Sequence, residues 1–214
     1  MKCKSGKDEN EMIEAIINKS VRFLVDRKTI SNTPEQLEIY RYGLELWIYY
    51  IVNATILLAI SVPMGRVWEV ALFLFLFALV QTNGGGYHAD THGKCLAFMV
   101  AGVLVFIALL SLFQASCVIQ IIGALFGLCI ICFLAPVSHV NHSLSRDYSK
   151  RLGNRAKRIS FALIGICIAL LVLDMMKISA VLSLALFFSG VSLICAFLKA
   201  KNNEVHCDKK LFDE

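Results

Sequence analysis

Residues 83–95 read Asn-Gly-Gly-Gly-Tyr-His-Ala-Asp-Thr-His-Gly-Lys-Cys. A thiol, two imidazoles and a carboxylate share one glycine-rich segment between long apolar runs. That set could make a thiolate nucleophile with a neighbouring general base. Cys95 is the nucleophile candidate. Lys94 beside it, and a helix start if the third apolar run begins here, would both favour an anionic sulfur.

Two residues compete for the base. His88 and Cys95 are seven apart, so on a straight helix they would stand about 10.5 Å apart along the axis. Proton transfer needs a contact of about 3 Å, or one bridging water. His88 therefore requires the chain to fold back, with Gly93 as the expected bend. His92, three residues from Cys95, is a near neighbour on a helix and is slightly favoured by geometry. Asp90 could orient either imidazole or be a solvated loop residue. Gly84, Gly85 and Gly86 tolerate backbone angles that other residues avoid. Their N–H groups could receive an oxyanion, or the run could be a plain turn. A metal site is the rival reading. His88, His92 and Cys95 form one helical stripe, with a fourth ligand from Asp90, His139 or His142. A non-catalytic membrane scaffold is a third class.

The elements that must position this segment are apolar. The 214 residues are 57% hydrophobic and 17% charged, against about 25% charged in a soluble domain. An all-α polytopic membrane protein is expected, a single membrane domain over 1–214. Residues 1–43 are read as a cytoplasmic or interfacial segment, 44–198 as a six-helix core containing the catalytic segment 82–95, and 199–214 as a cytoplasmic tail. The six spans are 44–62, 67–81, 96–114, 117–137, 159–176 and 178–198, with the second the shortest. Before them, Ile13, Ile16, Ile17, Val21 and Leu24 oppose Glu14, Asn18, Lys19 and Arg22. This is an amphipathic N-terminal helix, for the membrane surface or for the rest of the protein. Thr33, Pro34 and Gln36 supply a helix start.

Basic residues divide between the two sides. The N-terminal segment carries eight Lys/Arg, the His/Cys segment one, the loop 138–158 six and the tail four, while the opposite connections hold only Arg66 and Lys177. The positive-inside rule then puts both termini and the catalytic segment in the cytoplasm. There thiols stay reduced. The pairs Arg41/Glu45, Arg66/Glu69 and Asp174/Lys177 have the spacing of interfacial ion pairs on one helix face. Cys129 and Cys132 lie in a wholly apolar run and are read as structural.

Gly85-Gly86-Tyr87-His88-Ala89, with Cys95 seven residues after His88, resembles the signature of the accessory gene regulator B (AgrB) family. These are integral membrane cysteine endopeptidases of Gram-positive quorum sensing. The stretch Ala135-Pro136-Val137-Ser138-His139-Val140-Asn141, with the basic loop after it, is similar to the family's proline-containing end of the fourth span. The resemblance implies that His88 is the base and Cys95 the nucleophile. Gly85, Gly86, Asp90 and Lys94 are expected in support. It implies cleavage of an amphipathic precursor peptide with an acidic tail through a thioester, then closure of a thiolactone or lactone. Some members carry arginine seven residues before the histidine, where this chain has Gln81. Substrate contacts are expected at Gln81 and in the basic loop, at Arg146, Lys150 and Arg151. A homodimer in contact with membrane lipids is expected, with neither a cofactor nor nucleic acid as partner.

Overall fold

Long apolar runs broken by short polar connections fold as helices, because helices alone satisfy every backbone group within an apolar segment. The computed structural model describes residues 18–23, 25, 27, 33–85, 92–136 and 146–212. Its helices are α1 (Pro34–Ser61), α2 (Val67–Gly84), α3 (His92–Ala115), α4 (Cys117–Leu134), α5 (Arg146–Val172) and α6 (Met176–Phe212).

Among the described residues, four helical segments are long and apolar enough to cross a membrane: Val67–Gly84, Gly93–Ala115, Cys117–Leu134 and Met176–Asn202. The short second span gains a turn and runs to Gly84. The first expected span coincides with a shorter apolar helix, Trp47–Ser61. The fifth belongs to a helix that begins at Arg146, well before its apolar part.

The chain divides into two compact units, Met1–Ile56 and Leu57–Glu214. In the first, residues 18–23 are helical. The Arg27 guanidinium lies 5.3 Å from the centre of the exposed Phe23 ring. The amphipathic helix expected over 12–26 lies otherwise outside the described residues. Helix α1 starts at Pro34 as its capping sequence predicts, and Leu37 N–H donates to the Thr33 carbonyl at 3.0 Å.

In the second unit α6 is the axis. It packs against α2, α3, α4 and α5. Of its apolar window 61% is buried, against 22–33% for α2, α3 and α4, whose outer faces suit lipid. Small residues make this possible. Ser179, Ala180, Ser183, Ala185, Ser189 and Ser192 are buried along α6, and small side chains let helix backbones approach. The closest approach is Gly127 of α4. A Cβ there would overlap the Leu186 carbonyl, and a Cβ on Gly190 would stand 3.0 Å from Gly127 Cα. Phe73 of α2 stacks on Phe106 of α3 at 4.2 Å between ring centres and meets Phe188 of α6 edge-on at 5.5 Å.

Three tight turns gather at one end. Residues 62–65 join α1 to α2, with Gly65 at φ 63°. Ser116 alone separates α3 from α4, its Oγ accepting from Ile119 N–H. Residues 173–175 join α5 to α6, with Asp174 at φ 57°. This end is also tied by a buried polar network absent from the sequence reading. Gln120 Nε2 donates to the carbonyls of Phe113 (2.8 Å) and Met176 (3.3 Å). Ser179 Oγ donates to Gln120 Oε1 at 2.6 Å, and Ser183 Oγ donates to the Gln120 carbonyl. Cys167 Sγ sits 3.2 Å from Ser179 Oγ. Each bond crosses between elements, so the network fixes the α3–α4 and α5–α6 turns against each other.

The expected ion pairs fare differently. Arg66 Nη1 meets Glu69 Oε1 at 2.9 Å, with Glu69 only 4% exposed. Asp174 and Lys177 form no pair among the described residues. The turn ends α5 before Asp174, and Lys177 belongs to the next helix, so they do not share the helix face their spacing suggested. The Glu45 side chain lies outside the described residues. The basic segment read as a loop over 138–158 is helical from Arg146 onward. Its residues Gly153, Ala156 and Ser160 are buried, continuing through Leu163 and Cys167. Steps of three and four make a helical stripe.

Candidate functional site

The other end of the second unit holds the end of α2, the start of α3, the end of α4 and the basic part of α5. Helix α2 stops because of Gly85. That residue lies at φ 77°, ψ 168°, a region only glycine populates readily. Its N–H donates to the Gln81 carbonyl at 3.0 Å. Gly85 therefore turns the chain out of the helix, and its N–H is already committed, which removes it as an oxyanion donor. Gly84 is helical. Gly86 lies outside the described residues.

A direct comparison follows from these angles. Gly84→Ala is expected to leave thermal stability and activity nearly unchanged. Its Cβ would meet Ala156 Cβ at 3.5 Å, Ala135 Cβ at 3.8 Å and Leu193 Cδ1 at 3.9 Å, all ordinary contacts. Gly85→Ala is expected to cost about 1–3 kcal/mol locally and to lower activity by redirecting the segment that follows. Thermal melts and turnover of both variants, side by side, check this. Equal behaviour of the two would refute it.

The contacts of Gly84 bring together pieces distant in sequence. Ala135 leads into Pro136 through a cis peptide bond. Pro136 in turn packs on Gly153 of α5, where a Cβ would come 2.5 Å from Pro136 Cδ. The two stretches that carry the family resemblance, one beginning at Gly85 and the other at Ala135, thus adjoin through Gly84. The small residues Gly153 and Ala156 that complete this junction were missed by the sequence reading. Their signal was present as two small residues three apart among charged ones.

Cys95 lies in the first turn of α3, half-buried, as a free thiol. Lys94 beside it is exposed. Because α3 begins at His92, Gly93 is inside the helix and is not the bend. Any fold-back that brings His88 to Cys95 occurs before His92. Helix α3 does bring His92 and Cys95 to positions three apart on one helix. The side chain of His92, and all of His88, Asp90, His139 and His142, lie outside the described residues. The other described cysteines are elsewhere. Cys129 and Cys132 are within apolar α4, Cys167 belongs to the polar network, Cys195 is in the apolar part of α6, and Cys117 opens α4 at the opposite end.

On α5, Lys150, Arg151, Arg155 and Arg158 are exposed, and Lys157 is partly so. Arg151, Arg155 and Arg158 stand on the side away from the Gly153–Ala156–Ser160 stripe and Lys150 and Lys157 flank it, all within two turns of the residues that touch Gly84 and Pro136. The Arg146 side chain lies outside the described residues. On α2, Gln81 carries an unexpected feature. Its Oε1 and Nε2 are both buried without a hydrogen-bond partner among the described residues. An unpaired buried polar group costs about 1–3 kcal/mol.

Neither the curated proteins nor the solved structures contain a match to this chain. A family model does match, over residues 17–198, and its description is Accessory gene regulator B.

Proposed function

Since the chain belongs to the accessory gene regulator B family of quorum-sensing autoinducer processing, we propose that it is a membrane cysteine endopeptidase that cuts and cyclises a precursor peptide. The observation that carries this reading is Cys95. It is a half-buried thiol in the first turn of α3, at the end where the α2 turn and the basic face of α5 also lie.

The steps are those of acyl transfer. The His88 imidazole takes the proton of the Cys95 thiol. The thiolate attacks a carbonyl carbon near the C-terminus of the precursor, giving a tetrahedral oxyanion. First-turn N–H groups, which a helix start cannot pair within itself, favour negative charge at this end of α3. The imidazolium returns its proton to the departing amine, the C–N bond breaks, and the C-terminal fragment leaves. The N-terminal part remains as a thioester on Cys95. A thiol or hydroxyl within the peptide then attacks that thioester, closes the ring, and releases Cys95.

A site at a membrane edge keeps water scarce and so spares the thioester. Holding an amphipathic precursor on the bilayer raises its concentration at the site. Lys150, Arg151 and neighbouring basic residues attract its acidic tail, and anionic lipid, from the cytoplasmic face. Gln81 contacts the precursor from α2. The chain works as a multi-pass protein of the cell membrane with both termini and the site inside, as a pair of copies.

The covalent step has a direct test. A precursor whose ring-closing Cys or Ser is replaced by Ala can be cut but not cyclised. With it, intact-protein mass spectrometry should show the precursor's N-terminal part bound to Cys95, and hydroxylamine should remove it. Cleavage with no adduct, or an adduct on another residue, would refute the thioester mechanism.

A further inference from the structure

Three successive residues in the last turn of α2 have polar side chains. Thr82 Oγ1 donates back to the Leu79 carbonyl at 3.3 Å, and Asn83 Nδ2 donates to the same carbonyl at 3.0 Å. Gln81 does neither. Its main-chain carbonyl accepts from Gly85 N–H, while both polar atoms of its side chain are buried and unpartnered among the described residues. On the helix surface Gln81 neighbours Phe77 and Gly84, and Gly84 faces Ala135, Ala156 and Leu193. The carboxamide is therefore held at the junction end of α2, out of water, with its acceptor and its donor both unpaired among the described residues. Buried polar groups in folded proteins are paired with rare exceptions, so an unpaired acceptor and donor on one group calls for a ligand that supplies both complements. An extended peptide does so. The N–H and C=O of one residue point to the same side, as they do across a hydrogen-bonded strand pair. A carboxylate would satisfy only the Nε2 side.

We propose that Gln81 binds the main chain of the precursor, with Oε1 accepting from the N–H and Nε2 donating to the C=O of one extended residue, and so positions the peptide for attack by Cys95. This rests on the endopeptidase reading above. It makes Gln81 a positioning residue that selects an extended backbone rather than a particular side chain.

The test uses the full chain in lipid bilayers and, as probe, the synthetic precursor peptide encoded beside this chain's own reading frame. Affinity is measured on the Cys95→Ala background, which prevents turnover, with and without Gln81→Leu. Leucine keeps a similar bulk and removes both polar atoms. Binding is expected to weaken about tenfold, the loss of two ordinary hydrogen bonds, while the melting temperature holds or rises. A second arm leaves Gln81 in place and replaces single precursor amides by esters. One ester position should weaken binding to the Gln81 protein and leave binding to Gln81→Leu unchanged. Unchanged affinity in Gln81→Leu, or ester effects equal in both proteins, overturns the proposal while leaving the endopeptidase reading intact. Cleavage by Cys95→Ala overturns that reading and this proposal with it.

Discussion

Cys95→Ala is expected to lower precursor cleavage at least about a thousandfold, the scale seen when a covalent nucleophile is removed, with the protein still folded. Alanine is the better helix former, and Cys95 is only half-buried in the first turn of α3. Its sulfur makes neither a disulfide nor a hydrogen bond among the described residues. Co-expression with the precursor gives the rate, and a melt of the purified protein gives the fold. His88→Ala should fall comparably. His92→Ala is the discriminating partner, because α3 places His92 and Cys95 on one helix three residues apart. A drop of less than about tenfold there, against the range of 10²–10⁴ for a general base, supports His88. If His92→Ala is the inactive variant and His88→Ala is active, the base assignment is reversed. If Cys95→Ala still cuts, the enzyme is not a cysteine endopeptidase.

Gly127→Ala should be the most damaging of the single-methyl additions. Its Cβ would overlap the Leu186 carbonyl and stand 2.8 Å from Phe187 N. Both obstacles are helix backbone, so neither can swing aside, and α4 and α6 must separate. Overpacking costs about 1–3 kcal/mol and occasionally more, out of a total stability of about 5–15 kcal/mol. A melting temperature lower by several degrees in detergent, and reduced yield from membranes, are the expected results. Gly102→Ala in α3 and Gly165→Ala in α5 are the matched controls. Nothing lies within 4 Å of a Cβ at either, so each should be neutral or stabilising by up to about 1 kcal/mol. Equal losses in all three variants would show that helix flexibility, not the α4–α6 contact, sets the cost.

Hydrophobic length was the clearest signal in the sequence, and it located α2, α3, α4 and the apolar part of α6, Met176–Asn202, to within a few residues. The start of α5 was not legible in that way. Arg146–Arg158 is too charged to read as a span, and only the buried small residues Gly153 and Ala156 reveal that it is already helix. Spacing misled at Asp174 and Lys177, because i, i+3 pairing presumes an unbroken helix and the turn falls between them. The network around Gln120 was invisible for a different reason. Gln120, Ser179 and Cys167 are far apart in sequence, and each alone is an unremarkable polar residue in an apolar run. At the site, Cys95 was legible from its residue type and flanks. The bend was not, since whether Gly93 turns or stays helical depends on where α3 begins.

The junction around Gly84 has one further consequence. Gly84, Ala135, Gly153 and Ala156 fill one small space where α2, α5 and the end of α4 meet, so their side-chain volumes form a shared quantity. The space admits one methyl at Gly84, but a bulkier side chain there, or any side chain at Gly153, must be matched by a change in its neighbours. Descendants of this sequence should therefore exchange these four positions as a set. The glycine turn and the proline stretch would then be inherited together, although about fifty residues separate them.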